Sequence, residues 1–519
     1  MDAINLSIFA NRIDAVCGEM GATLQKSAFS PNIRDRLDYS CAVFDARGEL
    51  CAQAAHIPVH LGSMAFAMKD IVSVIEWSGG DMIVLNDPFK GGTHLPDVTL
   101  IAPLFIAGDL TGFVVNRAHH ADIGSETPGS MPLSSDLSEE GLIIEPTLLV
   151  KNDQLDEQYF ASLMKNMRNE QESSGDFIAQ IAANRRGLMR LTALIEKIGV
   201  KEYLSSLEQL NNYAAILAKK SLAGIEDGEY SFKDMLDDDG QGNENIIINA
   251  TVKFEQGGIT VDFAGTAGQM TGNINCPLSV TAAAVYYVFR CLMPAQTPAC
   301  AGSFKNIKIL TPEKSVVNAS FPAAVAAGNV ETSTRIVDVV LGALAQALPD
   351  RIPAASHGSM NNLAMGYVGG KLGDSDNPAW DYYETIGGGM GASSVSDGLD
   401  AVQTHMTNTL NTPIEALEMK YPLRITRYQI RQGSAGDGKH QGGEGLIREY
   451  QFLAPAQVTV LSERRKHQPW GLAAGTDAKA GVNLLNGNQL AAKQSFKVST
   501  GDVVTIETPG GGGFGLLER

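Results

Sequence analysis

THLPDVTLIAPLFIAGDLTGFVVNRAHHAD, residues 93–122, holds two β-type runs with histidines and aspartates at their outer ends. The runs Val98–Ile106 and Leu110–Asn116 are rich in apolar and β-branched residues, which is typical of buried strands. A turn through Gly108–Thr111 would join them as an antiparallel hairpin. In such a hairpin the start of the first strand lies beside the end of the second.

This hairpin predicts a cluster of imidazole and carboxylate groups at one sheet edge. His94 and Asp97 should meet His119 there, and His120 and Asp122 are further candidates. These ligand types suit Zn, Fe or Mn, and three or four of them with an open position would activate water or polarise a carbonyl. Because successive residues of a strand face opposite sides, His119 and His120 cannot both be ligands. One of the two is expected to be a ligand, and the second is expected to be a general acid or base, or a residue that supports the ligands.

Histidines are concentrated in this part of the chain. Five of the nine fall within 65 residues, namely His56, His60, His94, His119 and His120. His56 and His60 lie on either side of Pro58, so they are not expected to form a helical pair. They either line a substrate pocket or bond to loop carbonyls, and the sequence favours neither. The four remaining histidines are scattered and are expected to be structural.

Composition excludes several classes of protein. The chain has 519 residues, enough for about three domains. It is 44% hydrophobic and carries a net charge of −18, which argues against disorder and against a basic nucleic-acid surface. Its six cysteines form no C-x-x-C motif, and no signal peptide or run of 18 apolar residues occurs. We therefore expect a cytoplasmic protein with reduced thiols and no membrane span.

The order of helical and strand-like segments predicts an α+β protein with mixed sheets and glycine-rich loops. Helices are expected over residues 7–28 and 63–77 and through much of 157–225, with a strand pair at Ile246–Phe254 and Gly258–Phe263. The predicted multi-domain division is 1–225, an α/β domain with the candidate metal site and a helical extension; 226–420, a central α+β domain with glycine-rich loops; and 421–519, a β-rich C-terminal module.

Glycine makes up 54 residues, about one in ten against a usual ~7%, and suggests many tight turns. Three segments superficially match nucleotide-binding loops: Gly433–His440, Gly387–Ala392 and Gly510–Gly515. None is followed by the start of a helix that could hold a phosphate, and the first lacks the hydroxyl residue that binds Mg²⁺. We therefore expect glycine-rich turns, and no nucleotide site in this chain.

Long motifs in the sequence resemble the hydantoinase B/oxoprolinase family. They lie at Ser30–Asp45, Ala55–Met64, Asn86–Asp97, His119–Gly124, Pro128–Pro132, Glu139–Leu142, Gly387–Ala392, Asn408–Glu415 and Thr508–Gly515. The motifs are spread along the sequence, and the resemblance covers essentially the whole chain. The resemblance implies an ATP-dependent hydrolase that opens a small cyclic amide such as 5-oxoproline, a hydantoin or a lactam. It also implies a hetero-oligomer with a hydantoinase A-type subunit, which binds ATP and phosphorylates the carbonyl oxygen of the substrate.

The resemblance further implies a divalent metal, Zn, Mn or Fe, held by Asp35, His94, Asp97 and His119. Asp35 stands where many relatives have Glu, and Asp38 is a rival for that position. Metal-activated water would attack the phosphorylated carbonyl, which has lost its amide resonance.

Two further roles complete this hypothesis. His120 or Asp122 would carry a proton, and backbone N–H groups near Gly388 and Gly389 would approach the anionic intermediate. Two alternatives remain: a subunit of an ATP-dependent ketone carboxylase, of the acetone or acetophenone type, and a non-catalytic scaffold subunit. The family's carboxylases tend to be longer, so the chain length favours hydrolysis.

Overall fold

The computed structural model describes residues 3–54, 57–369 and 379–517. These residues form nine α-helices and twenty β-strands in four sheets, which confirms the α+β class with mixed sheets. The helices are α1 Ala3–Ser27, α2 Pro31–Arg34, α3 Pro58–Val74, α4 Glu157–Met164, α5 Glu170–Ile198, α6 Val200–Leu222, α7 Leu278–Cys291, α8 Ser333–Ala347 and α9 Ile414–Lys420.

The twenty strands of the described residues lie between Tyr39 and Glu507, and the long helical stretch α4–α6 separates the seventh strand from the eighth. Their bounds are β1 Tyr39–Asp45, β2 Leu50–Ala54, β3 Met82–Leu85, β4 Asp97–Ile106, β5 Asp109–His119, β6 Thr147–Lys151, β7 Gln154–Leu155, β8 Gly228–Asp238, β9 Glu244–Glu255, β10 Gly258–Asp262, β11 Ile307–Leu310, β12 Asn362–Tyr367, β13 Trp380–Glu384, β14 Leu423–Arg431, β15 Gly445–Phe452, β16 Ala456–Leu461, β17 Val482–Leu485, β18 Asn488–Gln489, β19 Lys493–Val498 and β20 Val503–Glu507.

The first sheet carries the predicted hairpin. Its seven strands run in the order β2-β1-β5-β4-β3-β6-β7, and β4 pairs with β5 in antiparallel register, with Asp97 opposite His119. Ile106 and Asp109 pair directly, so the loop has two residues, Ala107 and Gly108. The hairpin is therefore confirmed, with a tighter turn than one through Gly108–Thr111.

Helices cover both faces of this sheet. On one face Leu100 and Val114 join a buried cluster with Phe177 of α5. On the other face the next residues along each strand, Ile101 and Val115, pack in a separate cluster with α3. The alternation follows from the two-residue period of a strand, and it decides on which face each site residue lies.

Helix α3 begins five residues earlier than the sequence predicts. It starts at Pro58 rather than Ser63, because proline is favourable in the first helical turn, where no N–H partner is needed. His60 therefore lies in the first turn of α3 and is buried.

The second sheet has the order β11-β10-β9-β8 and is mixed, because β10 pairs with β11 in parallel and with β9 in antiparallel register. The predicted strand pair in this region is confirmed as β9 and β10. Ile248 of β9 shares a buried cluster with Val285 of α7 and Val340 of α8, so these helices form a core with the sheet.

The last two sheets have the orders β13-β12-β16-β19 and β14-β15-β20-β17-β18. The first of them combines strands from before residue 420 with strands from after it. The predicted boundary between 226–420 and 421–519 therefore falls between strands of one sheet, and the division into three domains stays a prediction. Among the described residues, no helix has the length and apolar character that crossing a membrane requires.

Candidate metal centre

His94, Asp97 and His119 meet at the open end of the β4–β5 hairpin, and we call these three residues the triad. One ligand atom of each lies within 4.8 Å of the others, and no other group of this kind occurs among the described residues. Asp97 Oδ1 lies 3.1 Å from His94 Nε2 and 3.2 Å from His119 Nδ1. The structure thus brings together three of the residues that the predicted hairpin places at one sheet edge.

The donor atoms of the triad fit a divalent metal. The Nδ1–H of His94 donates to the carbonyl oxygen of Ala326 at 3.3 Å, which leaves the lone pair on Nε2. That Nε2 atom faces the Asp97 carboxylate without a hydrogen-bond partner, and His119 Nε2 is likewise buried and unpartnered. Two lone pairs in this position attract a cation between them, and two imidazoles with one carboxylate suit Zn, Mn or Fe.

Asp97 dominates the electrostatics of the triad. Burial raises the pKa of Asp97, but the opposing effects of His94 and His60 are larger together and hold the pKa well below its usual value. Burial lowers the pKa of His94, yet the negative charge of Asp97 opposes this and the pKa is raised overall. For His119 burial prevails and the pKa is lowered, which favours the neutral imidazole that binds metals.

Two further predicted residues adjoin the triad. His60 Nε2 lies 3.2 Å from Asp97 Oδ2 and 3.9 Å from Asp38 Oδ1. The backbone carbonyl of Asp38 accepts a hydrogen bond from the backbone N–H of His119 at 3.0 Å. His60 is therefore placed beside the predicted ligands. His56 lies outside the described residues.

Of the two rival carboxylates, the structure brings Asp38 and not Asp35 to the triad. The carboxylate of Asp35 forms a bidentate salt bridge with its neighbour Arg34, with N–O distances of 2.9 and 3.1 Å. Asp38 is buried between His60 and Arg36.

The structure does not bring His120 or Asp122 to the triad. His120 follows His119 and faces the opposite side of the sheet, where its Nε2 lies 2.9 Å from Gln180 Oε1 of α5. Asp122 accepts hydrogen bonds from the backbone N–H groups of Gly124 and Arg168.

The N–H groups of Gly388 and Gly389 are already used in hydrogen bonds within the protein. They donate to the carbonyl oxygens of Val402 and Pro509 at 3.0 and 3.1 Å, and both glycines are buried. Their N–H groups therefore stabilise the fold and are not free to bind an anion.

Two residues from distant segments complete the surroundings of the triad. The ring of Tyr383 stacks on His119, with 4.7 Å between ring centroids and 15° between planes. Asn329 Nδ2 lies 3.4 Å from Asp97 Oδ2. Sequence reasoning missed both, because they lie more than 200 residues from the hairpin and belong to no motif with metal-ligand spacing.

Comparisons with known proteins agree with this architecture. The sequence profile named Hydantoinase B/oxoprolinase matches residues 2–516. An uncharacterised protein of Methanocaldococcus jannaschii is 40% identical over 99% of this chain and 91% of its own length. The putative B-type subunit of a D-/L-hydantoinase from a Pseudomonas species is 34% identical over 100% of this chain and 91% of its own length. 5-oxoprolinase 1 of Arabidopsis thaliana is 39% identical over 99% of this chain, which spans only 42% of that protein.

Solved structures show the same fold. The ATP-dependent caprolactamase from Pseudomonas jessenii superimposes with a TM-score of 0.91 at 27% identity, covering 99% of this chain and 91% of the other. The nucleotide-free acetone carboxylase superimposes with a TM-score of 0.86 at 18% identity, covering 98% and 75%, and shows a likeness of fold alone. With a profile match over nearly its whole length, the chain belongs to the hydantoinase B/oxoprolinase family.

Proposed function

We propose that this chain is the B-type subunit of an ATP-dependent hydrolase that opens a small cyclic amide. The observation that carries the proposal is the buried triad, in which two imidazoles, each with an unpartnered Nε2, flank one carboxylate. Support also comes from the names of its relatives, since 5-oxoproline, hydantoins and caprolactam are all cyclic amides.

In this proposal His94, Asp97 and His119 hold a divalent metal, Zn, Mn or Fe, with Asp38 as the fourth ligand. The metal supplies a Lewis acid that activates water near neutral pH. Asp97 holds the two imidazoles in place through Oδ1. His60, which lies between Asp97 and Asp38, takes over the role of proton carrier that the sequence suggests for His120 or Asp122.

ATP is proposed to bind to an A-type partner subunit in a hetero-oligomer. An amide resists hydrolysis because its nitrogen donates into the carbonyl, and phosphorylation of the carbonyl oxygen removes that resonance. In the glycine tracts of this chain, the N–H groups of Gly389, Gly511 and Gly512 bond to backbone carbonyls and are therefore not available to a phosphate. The Pseudomonas hydantoinase is named as one subunit of its enzyme, which supports an assembly of more than one kind of chain.

To test the proposal, metal content and ATP-dependent ring opening are measured for the chain assembled with its A-type partner. The wild-type complex should contain stoichiometric metal and open at least one of 5-oxoproline, hydantoin and caprolactam. His94→Ala should lose both metal and ring opening while the partner still binds ATP. His467→Ala is the matched control, because this histidine is only half-buried and bonds to Asn245 far from the triad. Full turnover by metal-free His94→Ala would disprove the mechanism.

The same metal assay separates the two rival carboxylates. Asp38→Asn should weaken metal binding by about 10- to 100-fold, whereas Asp35→Asn should leave it unchanged. The opposite result would return the ligand role to Asp35. A metal-free wild-type complex would favour a scaffold subunit, and carboxylation of a ketone with bicarbonate in place of ring opening would favour a carboxylase.

A further inference from the structure

A carboxamide reaches the triad from a segment that no motif of the sequence identifies. Residues Gly328–Thr332 form a short π-helix directly before α8. A π-helical turn is wider than an α-helical turn, and such turns often occur at functional sites. Asn329, the second residue of the segment, is 2% exposed and directs its side chain to Asp97.

The two polar atoms of this side chain are used very differently. Asn329 Nδ2 makes a long contact of 3.4 Å to Asp97 Oδ2, an oxygen that also accepts the 2.6 Å hydrogen bond of Thr93. Asn329 Oδ1 has no hydrogen-bond partner although it is buried. A buried acceptor without a partner is costly in a folded protein, so a donor is missing at this point.

The backbone holds Asn329 firmly in this place. A Cβ atom on Gly328 would lie 1.8 Å from the carbonyl oxygen of Asn275, so only glycine permits this close approach. The N–H of Asn329 donates to the carbonyl of Val325 at 3.2 Å, and its own carbonyl accepts the hydroxyl of Ser333 at 2.6 Å. The side chain is therefore presented to the triad from a rigid support, as specific recognition requires.

We propose that Asn329 recognises the ring N–H of the cyclic amide by accepting it at Oδ1, an inference that rests on the proposed function. A cyclic amide carries its N–H next to the reacting carbonyl and on the same side of the amide bond, and after phosphorylation of the oxygen the ring nitrogen keeps this hydrogen as a protonated imidate, which is a stronger donor. A carbonyl held at the triad therefore brings the ring N–H towards a neighbouring acceptor. Asn329 offers that acceptor, while its own amide donor stays directed to Asp97. This residue thus selects substrates with an unsubstituted ring nitrogen.

The test compares 2-pyrrolidone with N-methyl-2-pyrrolidone, which lacks the N–H donor. Binding of each to the metal-loaded wild-type complex is measured by calorimetry. We expect the unsubstituted lactam to bind about ten- to a hundredfold more tightly. Equal affinities in the wild-type complex would overturn the inference without the need for any variant.

Asn329→Leu should remove this preference and leave the metal content unchanged. Asn329→Ala, which removes the acceptor oxygen without adding volume, gives the same comparison if the leucine variant does not fold. Asn273→Leu is the matched control, because Asn273 is also buried with an unpartnered Oδ1 but bonds to Pro132. A preference that persists in a metal-loaded Asn329 variant would refute the inference. Failure of the proposed function is distinct, since it appears as absent ring opening rather than as equal binding.

Discussion

The two carboxylate oxygens of Asp97 are in contact with five side chains. His94 and His119 approach Oδ1, and Thr93, His60 and Asn329 approach Oδ2. These partners come from the hairpin, the start of α3 and the π-helix before α8, so one carboxylate connects three parts of the fold. In the proposed metal centre, Asp97 would orient the other ligands as well as serve as one itself.

Glu331, two residues after Asn329, is a second buried carboxyl group with an unusual environment. Burial raises the pKa of Glu331 to about 8, and the charge of Glu463 adds to this, whereas Lys493 and hydrogen bonds from Ser359 and Met360 oppose it. Its Oε2 has no hydrogen-bond partner. The folded protein therefore favours the protonated form of Glu331 at neutral pH.

Glu331 should make the protein less stable as the pH rises. Its folded pKa of about 8 lies above the ordinary glutamate value of 4.5, so the folded state binds more protons between these values and loses stability as they are removed. The full shift corresponds to about 5 kcal/mol. Glu331→Gln should flatten the fall in the free energy of unfolding between pH 5 and pH 8, as measured by chemical denaturation. Parallel curves for variant and wild type would contradict the expectation.

Among the elements, the β4–β5 hairpin shows how local sequence rules act. Its two loop residues, Ala107 and Gly108, have φ values of 53° and 92°. Positive φ at both positions defines the tight turn that suits the right-handed twist of a hairpin, and Asn-Gly is the preferred sequence there. Ala107 is therefore a poor residue in an otherwise well-formed turn.

Ala107→Asn should stabilise the protein by about 0.5–1 kcal/mol, because asparagine tolerates the left-handed region better than alanine. Gly108→Ala should instead destabilise it, although a Cβ there would meet open space, since the backbone angle itself disfavours alanine. Denaturant titrations of both variants would check this. A loss of stability in Ala107→Asn would show that the turn is not a source of strain.

Some features of single helices and strands are predictable from the sequence, and others are not. Apolar patterning and turn residues predict the hairpin, and the pairing of its strands in the structure places Asp97 opposite His119, with His94 in the loop just before β4. Helix α3 starts at Pro58 because proline is favoured in the first turn of a helix, and this start places His60 in that turn. The helical pattern of apolar residues after Ser63 suggests a later start. The preference for Asp38 over Asp35 could not be predicted, because both follow the four-residue helix α2 and only the packing around them differs.

At the scale of the whole molecule, the glycine excess serves close backbone packing as well as turns. A Cβ atom on Gly389 would lie 1.9 Å from the carbonyl oxygen of Gly443 and 2.3 Å from the backbone nitrogen of Gly511. These residues come from three separate tracts that cross one another with no room for side chains. The resemblance of these tracts to nucleotide-binding loops is thus explained by packing.

Gly389→Ala should lower the free energy of unfolding by about 1–3 kcal/mol or more, because backbone atoms on both sides must move. Gly224→Ala is the matched control, since no heavy atom lies within 4 Å of the Cβ it would introduce, and its effect should stay within about 0.5 kcal/mol. Chemical denaturation of the two variants measures the difference. Equal stabilities would show that the glycine tracts do not depend on close packing.

The sequence by itself determined the family, the α+β class and the core of the candidate site, because these depend on local order. A strand has a period of two and a tight turn joins neighbouring strands, so the outer ends of β4 and β5 lie side by side. Tertiary structure alone placed His120 against α5, Asp38 beside His60, and Asn329 and Tyr383 next to the triad. Segments that are far apart in the chain meet only through the packing of helices and sheets as a whole, and no local pattern records which of their side chains will touch.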